Sequence, residues 1–218
     1  MKTNIIVDLD DTLYLERNYV LSGFRAVAQL TPRPRLFAET CWALFESGRR
    51  NDIFDAALLK LGTPADPQTI DKLVKAYRHH EPSIKLADDS KRFLAQTNPT
   101  GLISDGPVES QTRKLGSLGL SGRFAKIILT DALGRNCWKP SIFAFQEIEK
   151  ALGPGAFIYL GDNPRKDFRP ARQLGWRTIR IRRPEGLYTD LEPQPHYEPD
   201  FEAETFDSIE RSWLFSNE

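Results

Sequence analysis

Four short constellations in this 218-residue chain carry residue types that do chemistry. The first is Asp8-Leu9-Asp10-Asp11-Thr12, directly after the apolar run Ile5-Ile6-Val7. Two carboxylates two residues apart can divide a difficult displacement, one attacking as nucleophile and the other moving a proton. Phosphate monoesters hydrolyse extremely slowly in water, and a carboxylate can split that step by becoming an acyl-phosphate. The second constellation is Ser104 at the end of Gly101-Leu102-Ile103, followed by Asp105-Gly106. A hydroxyl and adjacent backbone N–H groups at such a turn can hold phosphate oxygens. The third is Lys139 in Cys137-Trp138-Lys139-Pro140-Ser141, a cation placed just before a proline that favours a helix start. The fourth is Ile158-Tyr159-Leu160-Gly161-Asp162-Asn163-Pro164-Arg165-Lys166-Asp167, where a glycine after an apolar run permits a tight turn and leaves Asp162 at its tip. Taken singly, each has an ordinary structural explanation as a solvated strand-end acid, a turn serine, a surface Lys-Pro or a helix cap. What carries the inference is their order along the chain, three at or just past strand ends and Lys139 at a helix start.

Chemistry spread over four segments needs a scaffold that brings them together. Ile5-Ile6-Val7 reads as a short, fully buried, β-branched strand, and similar runs recur at 100–104, 126–130, 156–160 and 177–181. Helix-length segments at 108–118, 141–152 and 168–174 separate the later ones. This alternation predicts an α/β fold: a Rossmann-like parallel sheet with helices on both faces. In such sheets ligands bind outside the carboxyl ends of the strands, where these four features fall. The segment from Glu16 to Asp88 breaks the rhythm. It has helical apolar spacing (Val20, Phe24, Val27; Leu36, Trp42, Leu44, Phe45; Phe54, Leu58, Leu59; Ile70, Leu73, Val74, Tyr77), and prolines divide it into about four helices. The expected organisation is an α/β core from residues 1–15 and 89–218, with a small all-helical domain from 16–88. Residues 184–199, rich in proline, acids and aromatics, read as irregular, with a late edge strand near 200–205 and a short last helix.

Composition narrows the partners. Lys plus Arg and Asp plus Glu both number 30, so no global field draws the chain towards nucleic acid or membrane. No stretch approaches the roughly 20 apolar residues of a membrane-crossing helix, and Ile5–Val7 is too short for a signal-peptide core. The expectation is a cytoplasmic protein, a monomer or homodimer. Cys41 and Cys137 lie far apart in no metal or disulfide pattern and read as two buried thiols.

The four features, in this order, resemble the haloacid dehalogenase superfamily, most of whose members are phosphatases, and the likeness spans almost the whole chain, with the helical segment matching that family's cap. The resemblance implies Asp8 as nucleophile and Asp10 as acid/base in an aspartyl-phosphate cycle, with Ser104, Asp105 and Lys139 on the phosphate. It implies Mg2+ as cofactor, held by Asp8, Asp10 through its backbone carbonyl, and Asp162. Thr12 and Asp167 stand behind these groups, Asp167 orienting Lys139 or a metal-bound water. One departure is Asp105, where the family often has asparagine; an acid there must point away from phosphate or pair with a cation. Asp10 also distinguishes the chain from the dehalogenases, which resemble it but lack that second acid, since halide leaves without a proton.

Only residues 105–138 separate Ser104 from Lys139, too few for a second large cap. The substrate is therefore expected to be a small phosphorylated metabolite enclosed by the helical cap. Arg17, Asn18, Tyr19 and the basic residues Arg25, Arg49, Arg50, Arg78, His79, His80 and Lys85 are candidates to meet it, although a solvated helix face explains each as well. The stretch 161–180 resembles a subgroup associated with glycan and nucleotide-sugar pathways, which makes a sugar phosphate the first substrate expectation. Two rivals remain: a sugar phosphomutase using the same Asp8 and Asp10, and a binding module that kept the fold without the chemistry.

Overall fold

Residues 2–215 are described by a computed structural model; the outer limits drawn above, at 1 and 216–218, lie outside the described residues. Six parallel strands form one sheet: β1 (Thr3–Val7), β2 (Gly101–Ser104), β3 (Lys126–Leu129), β4 (Ala156–Gly161), β5 (Arg177–Ile181) and β6 (Phe201–Ala203), in the order β3-β2-β1-β4-β5-β6. β1 pairs with β2 on one side (Val7 opposite Leu102) and with β4 on the other (Val7 opposite Leu160). The order changes direction at β1, and right-handed crossovers then put the connecting helices on opposite faces. The crevice at such a switch point, beyond the strand ends, is where α/β sheets bind ligands. β1 ends there in Asp8 and β4 leads there into Asp162.

The strands are β-branched and aromatic because both faces are covered. Ile5, Ile6, Val7, Leu102, Ile103, Ile158, Tyr159, Leu160, Ile179 and Ile181 are all essentially inaccessible. The sheet's connecting helices are α5 (Asp88–Thr97), α6 (Val108–Ser117), α7 (Phe143–Leu152) and α8 (Phe168–Gln173), with a final short α9 (Arg211–Leu214). α7 lays Ala144, Phe145 and Ile148 against the sheet, in a cluster with Ile6, Ile103, Tyr159 and Trp176, and Trp176 stacks on Phe157 with centroids 4.6 Å apart. α7 begins at Phe143, so Pro140 lies in the turn before it rather than at its first position. α5 was not foreseen from the sequence: in DDSKRFLAQT only Phe93 and Leu94 are buried apolar residues.

The chain divides after Arg17 and after Ile84, and the intervening Asn18–Ile84 forms a separate helical unit. Its helices are α1 (starting at Glu16, Glu16–Ala28), α2 (Pro34–Glu46), α3 (Ile53–Lys60) and α4 (Pro67–His79). Pro34 and Pro67 open α2 and α4, where a missing N–H costs nothing. Its core is aromatic: Phe24 meets Phe45, Phe54 and Tyr77 at 6.0–6.3 Å between centroids. Leu36 and Leu59 face outward, contrary to the sequence expectation, because α2 buries the face of Phe37, Cys41, Leu44 and Phe45 instead. Both cysteines are free and buried, and burial pushes the Cys41 thiol up to about 12.

Candidate active site

Asp8 follows β1 directly, its N–H donating to Leu160 O at 2.8 Å so that the pairing with β4 continues one residue beyond the strand. Its carboxylate accepts from Lys139 Nζ at 2.6 Å. The same ammonium reaches Asp167 Oδ1 at 2.7 Å and the Tyr159 hydroxyl at 2.9 Å. Asp8, Asp162 and Asp167, all buried, bring carboxylate oxygens within 4.8 Å of one another. Burial, with Lys139 as the largest opposing influence, pushes the Asp8 carboxyl up to about 6. Burial and then the neighbouring Asp167 and Asp8 charges hold Asp162 well above the usual carboxylate range. Burial works against the charge of Lys139, but Asp167 and Asp8 beside it outweigh that and raise its ammonium well above the ordinary value. The Asp162 carboxylate takes no hydrogen bond or ion pair among the described residues. A group of hard oxygen donors with too little positive charge suits a divalent cation such as Mg2+.

Gly161 is required here by close approach rather than by a left-handed turn. A Cβ on it would lie 2.6 Å from Asp167 Oδ2 and 2.9 Å from the Tyr159 ring. Asp167 Oδ2 also accepts the Asn163 N–H at 2.8 Å, which fixes the turn carrying Asp162. Arg180, fully buried on β5, donates through Nε to the Asp162 carbonyl at 3.1 Å and through one terminal nitrogen, Nη2, to both the Tyr188 and Leu191 carbonyls.

Asp10 turns to different company. Its carboxylate lies outside the acidic trio and accepts from Lys114 Nζ at 2.7 Å, from Gln111 Nε2 at 2.9 Å and from the Tyr14 hydroxyl. Burial pushes this carboxyl up, but the Lys114 charge and the bonds from Lys114, Tyr14 and Gln111 prevail and lower it. Gln111 Nε2 also donates to Ser104 Oγ, and Ser104 sits buried at the end of β2.

Asp105 resolves its own oddity. Its Oδ1 accepts the Thr130 hydroxyl at 2.7 Å and the Lys139 N–H at 3.1 Å, and its Oδ2 faces Lys166 Nζ at 3.2 Å. Burial opposes its charge, but Lys139 and Lys166 keep the carboxyl below the usual range. Both side-chain oxygens are thus engaged with protein donors. Thr12 is fully buried, its Oγ1 without a partner among the described residues, while its carbonyl accepts from Arg183 Nε and an Arg183 terminal nitrogen at 3.0 and 2.8 Å. Asp11, at φ 51°, accepts the N–H groups of Glu16 and Leu187 at 2.7 and 2.8 Å.

In the helical unit, His79 and His80 place Nδ1 at 2.8 and 2.6 Å from carbonyls of their own segment, Lys75 and Tyr77. Arg49 pairs with Asp52 at 3.2 Å and Arg50 lies over Phe45. His196 stands in the irregular tail. Sequence reasoning missed Tyr14, Gln111, Lys114, Lys166, Arg180 and Arg183. Of these, only Tyr14, four residues after Asp10, had a local signal.

A family profile described as haloacid dehalogenase-like hydrolase matches residues 3–175. The chain belongs to that family and is a hydrolase. It is 28% identical over 216 residues to a glyceraldehyde 3-phosphate phosphatase of Methanopyrus kandleri, covering 92% of each chain. It is 27% identical over 154 residues to a phosphoserine phosphatase of Thermus thermophilus, covering 69% of this chain and 60% of that one. Among solved structures it is similar to the haloacid dehalogenase-type hydrolase YfnB of Bacillus subtilis, solved bound to magnesium, with TM-score 0.67, 19% identity and coverage of 94% and 95%. The names of the first two relatives support the phosphatase side of the family. The chain is also 26% identical over 136 residues to an (S)-2-haloacid dehalogenase of Pseudomonas fluorescens, covering 62% of this chain and 59% of that one. Among the described residues no helix is long and apolar enough to cross a membrane.

Proposed function

We propose that this chain is a Mg2+-dependent phosphatase that hydrolyses a small phosphorylated metabolite through an aspartyl-phosphate on Asp8. The observation that carries this reading is the meeting of Asp8, Asp162, Asp167 and Lys139 at the ends of β1 and β4. In the first step an Asp8 oxygen attacks phosphorus in line, the bond from phosphorus to the alcohol oxygen breaks, and Asp10 gives that oxygen a proton. In the second, water attacks the phosphorus, Asp10 takes a proton from it, and the bond to Asp8 breaks to release inorganic phosphate. Lys139 neutralises the phosphoryl oxygens and the nucleophile. Ser104 and the N–H groups after it hold phosphoryl oxygens, while Asp105 and Asp167 hold Lys139 in place. Asp8, Asp162 and the Asp10 carbonyl would hold the magnesium ion, which when bound supplies further charge neutralisation. The α/β unit carries the chemistry in this reading, and the helical unit serves as cap and source of specificity.

The relatives' named substrates, glyceraldehyde 3-phosphate and phosphoserine, are three-carbon monoesters. They head the substrate panel, the first being itself a triose phosphate, followed by the larger sugar phosphates suggested by residues 161–180. The test is release of inorganic phosphate from para-nitrophenyl phosphate and from this panel, with Mg2+ and after chelation. Phosphate release that needs Mg2+ and vanishes in Asp8→Asn is expected. Wild-type-like turnover by Asp8→Asn would falsify the mechanism; transfer to a second sugar hydroxyl without phosphate release would favour the phosphomutase.

A further inference from the structure

We propose that Gln111 and Lys114 on α6 are positioning residues for proton transfer by Asp10, joining the acid/base to the phosphate-binding serine in one unit; the inference rests on the phosphatase reading above. Three donors meet the two Asp10 oxygens: Lys114 and Tyr14 on Oδ1, and Gln111 on Oδ2. The Gln111 amide nitrogen has two protons and uses them on two segments, Asp10 of the first constellation and Ser104 Oγ of the second. Distances of 2.7 and 2.9 Å to a carboxylate are those of charge-assisted and ordinary strong bonds.

The placement is built rather than incidental. Gln111 and Lys114 are 1% and 4% exposed, and an ammonium so enclosed is costly unless its partner is fixed. Three residues apart, they share one helix face, while Leu115 on the same helix serves the apolar core. Gly106 (φ +124°) makes room for the amide, since a Cβ there would lie 3.2 Å from Gln111 Cδ. Three donors fix the carboxyl group in one orientation and leave one lone-pair site, on Oδ2, for the proton that Asp10 carries. That proton is transferred efficiently only from within hydrogen-bond reach of the leaving oxygen.

Loss of this positioning has a chemical signature. A para-nitrophenolate leaves readily without a proton, whereas an alkoxide does not, so only the alkyl ester exposes a misplaced acid. The measurement is kcat/KM, which reports the steps through transfer to Asp8, for para-nitrophenyl phosphate and phosphoserine. Gln111→Met and Lys114→Met should each lower kcat/KM on phosphoserine at least about tenfold more than on para-nitrophenyl phosphate. Lys114→Arg, which keeps a cationic donor, should recover much of the difference. Far-UV circular dichroism and melting temperature show that the compared variants are folded, and if one Met variant does not fold, the other decides. Equal losses on both esters, or no loss, would overturn the inference. Where wild type does not turn over phosphoserine, the alkyl ester of the panel that it hydrolyses fastest takes its place. A wild-type enzyme that releases phosphate from none of these esters would instead overturn the phosphatase reading itself.

Discussion

Asp8 and Asp10 stand two residues apart at the end of one strand, yet they inhabit opposite electrostatic regions. On the β4 side Asp8 shares its surroundings with two further carboxylates and one buried ammonium, and its carboxyl is pushed up to about 6 by burial. On the α6 side Asp10 has no carboxylate in that trio; a lysine, an amide and a phenol all donate to it, and its carboxyl is lowered against the push of burial. Identical side chains two residues apart thus meet surroundings of opposite effect, burial raising the one and hydrogen-bond donors, against burial, lowering the other. The excess of negative charge lies where a cation and a phosphoryl group can meet it. The surplus of donors lies where a carboxyl group needs to be aimed.

The largest expected effect tests the first region. Asp8→Asn removes the nucleophile, and kcat should fall about 10⁴-fold or more on aryl and alkyl phosphates alike. Asp10→Asn should cost about 10²–10⁴-fold on alkyl phosphates but much less on para-nitrophenyl phosphate. A variant of Asp10 that fails equally on both esters would erase the distinction between the two sides. Lys139→Met comes next. It takes the one ammonium bonded to both Asp8 and Asp167 out of a buried cluster, so kcat should drop about 10²–10³-fold. Stability in urea should also fall, by on the order of 3–5 kcal/mol, because buried charges lose their partner. Unchanged stability would mean that the three acids shed their charge without it.

The two regions differed just as sharply in how legible they were. Asp8, Ser104 and Asp162 were legible as strand-tip residues because each ends or follows a β-branched or aromatic run. The strands themselves were readable for the same reason. Lys139 and Asp167, by contrast, were singled out through the proline expected at a helix start and the family resemblance. Gln111 and Lys114 had no such marker: they meet Asp10 from 101 and 104 residues away, and only tertiary pairing makes that contact. Arg180 had no signal of its own within the expected strand 177–181, yet its guanidinium is fully buried and bonded to the Asp162 carbonyl. α5 was missed because its apolar face is only two residues wide. For Gly161 the position was right and the reason was not: the space belongs to the Asp167 carboxylate.

The smallest effect is expected at the boundary between the regions. Asp105→Asn keeps an oxygen able to accept from Thr130 and from the Lys139 N–H, but turns an amide donor towards the Lys166 ammonium. What is lost is one ion pair whose lysine is 29% exposed, an interaction worth about 1 kcal/mol or less after solvent screening. Accordingly kcat/KM should fall by about tenfold at most, by a slight loosening of Lys139, and Lys166→Met should do much the same. In the double variant the two losses should fall short of additive, because one pair is removed twice. A loss at Asp105→Asn as deep as that at Asp8→Asn would put this carboxylate among the reacting groups, and the division between a charge-rich side and a donor-rich side would then have to be redrawn around it.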